Sequence, residues 1–297
     1  MTARRLVLLS ALALVGFAGN SLLCRAALRE GGIDAASFTS LRLLSGAAML
    51  WLVIGLDGLR RRGDVGRRAA QADALRPAPA PVPGDWASAT ALFGYALLFS
   101  LAYRSLGAAT GALLLFGAVQ ATMLGQAWRL GEVLRGWRLA GVFVAAAGLL
   151  VLLLPGAHAS APAPALAMAG AGVAWGIYSL RGRRGGPPLA ATAGNFLRAL
   201  PFAAIASLAT GAAWHANALG VVCALASGAL ASGLGYALWY AALPSLRAAT
   251  AATLQLAVPV ITALGAVALL GEPLGPRLLL AAAAVLGGIA LVIRAPG

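Results

Sequence analysis

Lysine is missing from this chain: all 22 basic residues are arginine, set against eight acidic residues and two histidines. A Walker-type phosphate loop requires a lysine, so ATP is not expected to drive the protein directly. The eight acidic residues fall in loops or at the ends of apolar runs, which leaves no carboxylate at mid-depth to carry a proton. The tripeptide "ASG" recurs at 226–228 and 231–233, as in the small-residue setting of an intramembrane serine hydrolase. The two histidines, His158 and His215, fall in connecting loops and cannot complete a dyad, so no enzyme is expected. Only two cysteines occur, Cys24 and Cys223, within or at the ends of apolar runs, where they read as small buried hydrophobes. No metal site and no cofactor are expected.

What is abundant is hydrocarbon. The chain is 61% hydrophobic and 10% charged, with a mean hydropathy of +0.88, which marks an integral membrane protein. Ten apolar stretches are each long enough to cross a bilayer as a helix: Leu6–Cys24, Ser37–Leu56, Ala87–Ser105, Ala108–Trp128, Trp137–Leu154, Leu166–Leu180, Ala190–Thr210, Leu219–Tyr240, Ala248–Leu270 and Leu274–Ile293. The runs are continuous rather than alternating, which favours helices over a barrel. The first could be taken for a secretion signal ending in a lipoprotein cysteine, but Leu23 stands where a small residue is needed, so the span is expected to be retained.

Arginine is unevenly shared among the loops. With the N-terminus inside, sixteen of the 22 arginines fall in cytoplasmic segments, whereas Arg25, Arg29, Arg104 and Arg277 fall outside. That bias explains the formal charge of +14 without nucleic acid, and predicts both termini in the cytoplasm.

The chain also repeats itself. "SLGAATGALL" at 105–114 matches "SLRAATAATL" at 245–254, and "LGE" at 130–132 matches "LGE" at 270–272, all at an offset of 140. About 16 of 44 columns are identical, which indicates an internal duplication. "AGN" at 18–20 and "WGI" at 175–177 align at a larger offset, as do Arg42 and Arg198; a cytoplasmic linker loop at 57–85, with its "RPAPAPVPG", absorbs the difference. The first repeat is therefore 1–154 and the second 155–297. Five spans is an odd number, so the second copy should enter the membrane from the opposite side, giving two inverted five-helix repeats and cheap alternating access.

These residues resemble the drug/metabolite transporter superfamily of the EamA type. The resemblance lies in "GFAGN" and "GVAWGIY" in the first span of each half, in the arginines of "FTSLRLLSGA" and "GNFLRALP", and in "RLGEVLRGWRLAG" and "LLGEPLGPRLLLA". Within it the chain looks most like the bacterial aromatic amino acid exporters of the YddG type. The resemblance implies a multi-pass protein of the bacterial inner membrane that moves a small molecule through a cavity between its halves. A monomer is expected, with a homodimer left open.

The residues themselves supply a cavity map. Tyr95, Phe99 and Tyr103 recur at every fourth position of the third span, and Tyr236, Trp239 and Tyr240 share a face of the eighth. Trp175 and Tyr178 form a pair in the sixth, and Phe116, Gln120 and Gln255 add a ring and two amides. Such a wall suits a flat apolar ring with a polar end. Tyr103, Trp51, Trp86, Trp128, Trp137 and Trp214 sit near span ends and read as interfacial aromatics. Asn20 and Asn195, polar groups in hydrocarbon, should bond to a neighbouring helix or to solute. Arg42 and Arg198 should snorkel or bond to carbonyls, with a solute carboxylate as the alternative partner. Glu132 and Glu272 should cap the helix that follows each. Gly287 and Gly288 could lend the last helix flexibility, and Pro201 and Pro259 could kink or hinge theirs. Facilitated diffusion by a uniporter is the simplest mechanism; ion-coupled export of other amino acids, amines or drugs is the alternative.

Overall fold

Ten helices account for the ten apolar stretches in a computed structural model of the chain, which describes residues 1–65, 83–129, 131, 136–153, 162–182, 187–210, 214–246 and 254–294. They are α1 (Ala3–Leu28), α2 (Ala35–Val65), α3 (Trp86–Tyr103), α4 (Ala108–Arg129), α5 (Trp137–Leu153), α6 (Pro162–Arg181) and α7 (Pro188–Thr210). The remainder are α8 (Ala218–Ser245), α9 (Ala257–Leu270) and α10 (Pro276–Arg294). Backbone polar groups in a bilayer have no water to bond, so runs of Ala, Leu and Val satisfy them internally by coiling. Seven helices, α1 to α4 and α6 to α8, are long and apolar enough to cross a membrane; α5, α9 and α10 contribute shorter apolar segments. The expected start of the ninth span, Ala248, lies outside the described residues.

Side chains fix several helix ends. The Asp85 carboxylate accepts the Ser88 N–H at 2.9 Å and starts α3, and Asn217 accepts the Gly220 N–H at 2.8 Å to start α8. Gly271, at φ 65°, terminates α9 in the left-handed conformation that favours glycine.

The pairing of helices defines the architecture. α6 packs against α3 and α4, α1 packs against α8 and α9, α2 lies along α7, and α5 lies along α10. Small residues permit the closest approaches: a Cβ on Gly172 would come within 2.5 Å of the Leu115 carbonyl oxygen, and one on Gly176 within 2.7 Å of Thr122. Gly288 presses on the backbone of Gly141 and Ala145. It therefore serves tight α5–α10 packing rather than the flexibility expected of it.

One further expectation changes, and the two prolines lie within helical backbone. The loop predicted at 57–85 begins later, because α2 continues to Val65; no proline interrupts "DGLRRRGDV", and its Leu59 and three arginines are good helix formers. Pro259 is the third residue of α9, and the helical residues 254–255 precede it across a turn at Leu256, as where a proline interrupts a helix. Pro201 sits within α7, which continues through it.

The two ends of the bundle are separately tied. At one, the Ile33–Ala216 bridge and bonds from Asp34 N to His215 O (3.1 Å) and Asn217 N to Gly32 O (2.7 Å) join the α1–α2 turn to the start of α8. At the other, Arg181 closing α6 meets Asp85 at the start of α3.

Candidate functional site

Between the halves lies a cavity of about 590 Å³. Its wall includes all ten residues expected to line it: Asn20, Tyr95, Phe99, Phe116, Gln120, Trp175, Tyr178, Tyr236, Trp239 and Gln255. Arg42, Arg198 and Pro259 are not part of that wall. Trp175 is the hub of the aromatic surface. Its ring lies 4.9 Å from Tyr95 of α3, 5.4 Å from Tyr178 of its own helix, and 5.4 Å from Tyr236 of α8, nearly parallel at 15°. Phe17 of α1 extends the surface to Tyr236 and Trp239. A planar solute could stack on such a wall or meet its edges.

Polar groups interrupt the rings. Thr192 joins two phenols: its hydroxyl lies 3.2 Å from that of Tyr178, which donates to it, and 3.3 Å from that of Tyr240. Asn20 donates to the Tyr95 hydroxyl at 3.1 Å and accepts from the Ser227 hydroxyl at 2.6 Å, so it ties α1 to α3 and α8. Asn195 accepts the Asp85 N–H at 2.9 Å. Both asparagines line the cavity while bonding to neighbouring elements.

The two arginines that match in sequence differ in place. Arg198 donates to the carbonyls of Pro83 (2.7 Å) and Gly194 (3.2 Å), as expected of a structural arginine. Arg42 does not snorkel, and among the described residues it meets no carbonyl. It is 1% exposed and donates from Nη2 to the Tyr95 hydroxyl (2.9 Å) and from Nε to Ser232 (3.4 Å). Its guanidinium carbon lies 5.0 Å from the Tyr95 ring centre and 5.1 Å from that of Phe99, within cation–π range. Ser232 lies in a π-helical stretch, Ser227–Leu234, within α8; such stretches often occur at functional sites. Both "ASG" serines are thus engaged, one with Asn20 and one with Arg42.

The cavity reaches Gly182, Pro188 and Leu246, at the Asp85 end of the bundle. The opposite end is tied together by side chains. There Glu272 accepts from Arg25 Nε at 2.7 Å and from the Ala108 N–H at 2.7 Å. Arg25 also donates to the carbonyls of Tyr103 and Arg104, and Arg29 to that of Leu270. Glu272 therefore caps α4 across the bundle rather than α10, because Pro273 and the extended 271–275 segment separate it from the latter's first turn. The equivalent expectation for Glu132 falls outside the described residues. Tyr103 is also corrected: it is fully buried against protein and donates to the Ala108 carbonyl rather than facing lipid. The tryptophans at 51, 86, 128, 137 and 214 are all exposed.

At the Asp85 end the ion pair to Arg181, at 2.7 Å, is more open, with side chains 29% and 51% exposed. Partial burial pushes the Asp85 carboxyl up, but hydrogen bonds from Ser88 and the Arg181 guanidinium outweigh it and hold it down at about 2.

Phe17, Thr192 and Ser232 were not predicted to belong here. Phe17 could have been found, since it precedes Asn20 by three residues and shares its helical face. Thr192 and Ser232 carry no such signal: each looks like an ordinary small polar residue in a membrane helix.

Residues 163–294 match the EamA-like transporter family. Over 293 residues the chain is 55% identical to the Uncharacterized protein PA1977 of Pseudomonas aeruginosa, covering 99% of this chain and 96% of that one. It is 33% identical to the threonine/homoserine exporter RhtA of Escherichia coli over 162 residues, 52% of this chain and 54% of that one. A crystal structure 21% identical superposes with a TM-score of 0.64 over 99% of this chain and all of the other, which supports the fold.

Proposed function

From the match of residues 163–294 to the EamA-like transporter family, we propose that the chain exports small amphipathic metabolites, foremost aromatic amino acids, as a uniporter working by alternating access in the bacterial inner membrane. The observation that carries this is the cavity wall: Tyr95, Trp175 and Tyr236 bring three rings from three helices around about 590 Å³, with the amides of Gln120 and Gln255 among them. Solute pockets commonly run to roughly 300–1,000 Å³, so a whole amino acid fits.

Alternating access is supported by the packing. Exchanging α1–α5 for α6–α10 turns the contacts of α6 with α3 and α4 into those of α1 with α8 and α9, and leaves α2–α7 and α5–α10 as they are. That is the pattern two inverted repeats would produce. The end that the cavity reaches is then the cytoplasmic one, where the arginine bias also places both termini.

A second reading is favoured by the likeness to RhtA: a smaller polar amino acid, of the kind that exporter's name specifies, could be the solute. Counterflow of labelled phenylalanine into proteoliposomes without an ion gradient, challenged by tryptophan, threonine, leucine and a cationic drug, separates the two. Strongest competition by tryptophan supports the aromatic reading, and strongest competition by threonine replaces it. Uptake that requires a proton or sodium gradient removes the uniport mechanism.

A further inference from the structure

Behind the cavity wall sits a cation with no counter-ion: among the described residues, no carboxylate pairs with Arg42. Its Nη1 is buried and has no hydrogen-bond partner among them. A charge in such a place is costly unless something answers it.

The hydroxyls around it are biased in one direction. A phenolic oxygen can accept two hydrogen bonds and donate one. The Tyr95 oxygen already accepts two, from Asn20 and from Arg42. Its own proton cannot point at either donor and has no acceptor among the described residues. Ser232 likewise accepts from Arg42 Nε, and its hydroxyl proton has no acceptor there. Asn20 Oδ1 accepts from Ser227, and neither Tyr95 nor Ser232 donates to it among the described residues. Tyr95 and Ser232 both line the cavity. The cluster therefore offers the cavity two hydroxyl donors and a positive field.

We propose that Tyr95 and Ser232 form an anion subsite in the cavity, polarised from behind by Arg42, that takes the carboxylate of the transported solute. The proposal deepens the transport reading above and rests on it in taking this cavity as the binding site. In it Tyr95 contacts the solute, Arg42 is a positioning residue that acts through Tyr95, and Arg198, tied to carbonyls at the other end, has no such part. Charge-assisted hydrogen bonds to a carboxylate are about twice as strong as neutral ones, and they weaken when the acceptor becomes an amide.

The test is titration calorimetry on the purified full-length protein with 3-phenylpropionate, 3-phenylpropanamide and 3-phenylpropylamine, three solutes that share a ring and differ in their end group. The wild type should bind the carboxylate at least about tenfold more tightly than the amide and the amine. Tyr95→Phe, which keeps the ring and its stacking, should reduce that ratio to near one. Arg42→Gln should do the same where it yields folded protein; Tyr95→Phe carries the test without it. Equal binding of carboxylate and amide by the wild type, no binding of the carboxylate, or an unchanged ratio in Tyr95→Phe would overturn the subsite. Carboxylate preference that holds in a protein that moves no amino acid would leave the subsite standing and remove the amino acid reading. Amino acid transport by a protein blind to the carboxylate would do the reverse.

Discussion

Each end of the bundle carries an arginine–carboxylate pair, and the two pairs differ in their surroundings. At one, Arg25 and Glu272 are 16% and 17% exposed, and the carboxylate also holds the first N–H of α4. At the other, Arg181 and Asp85 are 29% and 51% exposed beside the mouth of the cavity. Breaking a buried pair leaves an uncompensated charge and costs about 3–5 kcal/mol, whereas exposed pairs contribute about 0–1. Under the alternating access proposed above, the Glu272 pair would be the tighter contact and the Asp85 pair the looser one.

The strongest way to break this contrast is Glu272→Ala. It should destabilise the sealed state by about 3 kcal/mol and so raise the open population more than tenfold. Cys24, fully buried next to Arg25, reports it: in a Cys223→Ala background its labelling by a small thiol reagent should speed up at least about tenfold. Arg25→Gln should act in the same direction but less, since the Ala108 N–H still holds Glu272. Unchanged labelling in both variants would mean that the pair is no seal. Arg181→Gln should change thermal stability by less than about 1 kcal/mol and leave Cys24 labelling as in the wild type.

The smallest effect concerns pH. The Asp85 carboxyl is held below its ordinary 3.8, at about 2, so the stability it contributes is present above about pH 4 and is lost as pH falls towards 2. Thermal unfolding in detergent from pH 5 to pH 2 should show a small acid-side decrease that Asp85→Asn abolishes. An identical profile in the variant would deny the carboxylate this role.

Much of the site was legible because helical periodicity is a local property. Tyr95 and Phe99 are four residues apart in an uninterrupted helix, so one wall of the cavity could be written from spacing. Spacing does not give depth. Tyr103 continues the same series, yet near a span end it read as interfacial; the α3–α4 turn folds Ala108 over it and buries it. Arg42 and Arg198 were indistinguishable, because their difference lies in the partners the fold gives them: two hydroxyls from other helices for one, the carbonyls of Pro83 and of Gly194 on its own helix for the other. Glu272 was assigned to the nearest helix in sequence, whereas its partners come from residues more than a hundred positions earlier.

The central claim is that the solute passes between the rings that meet at Trp175, and its most direct test is the initial rate of phenylalanine counterflow by Trp175→Ala in proteoliposomes holding equal amounts of folded protein. Trp175 joins Tyr95, Tyr178 and Tyr236, so its removal should lower the rate at least about tenfold while folded yield is kept. A rate equal to that of the wild type would contradict the assignment of this cavity as the solute path.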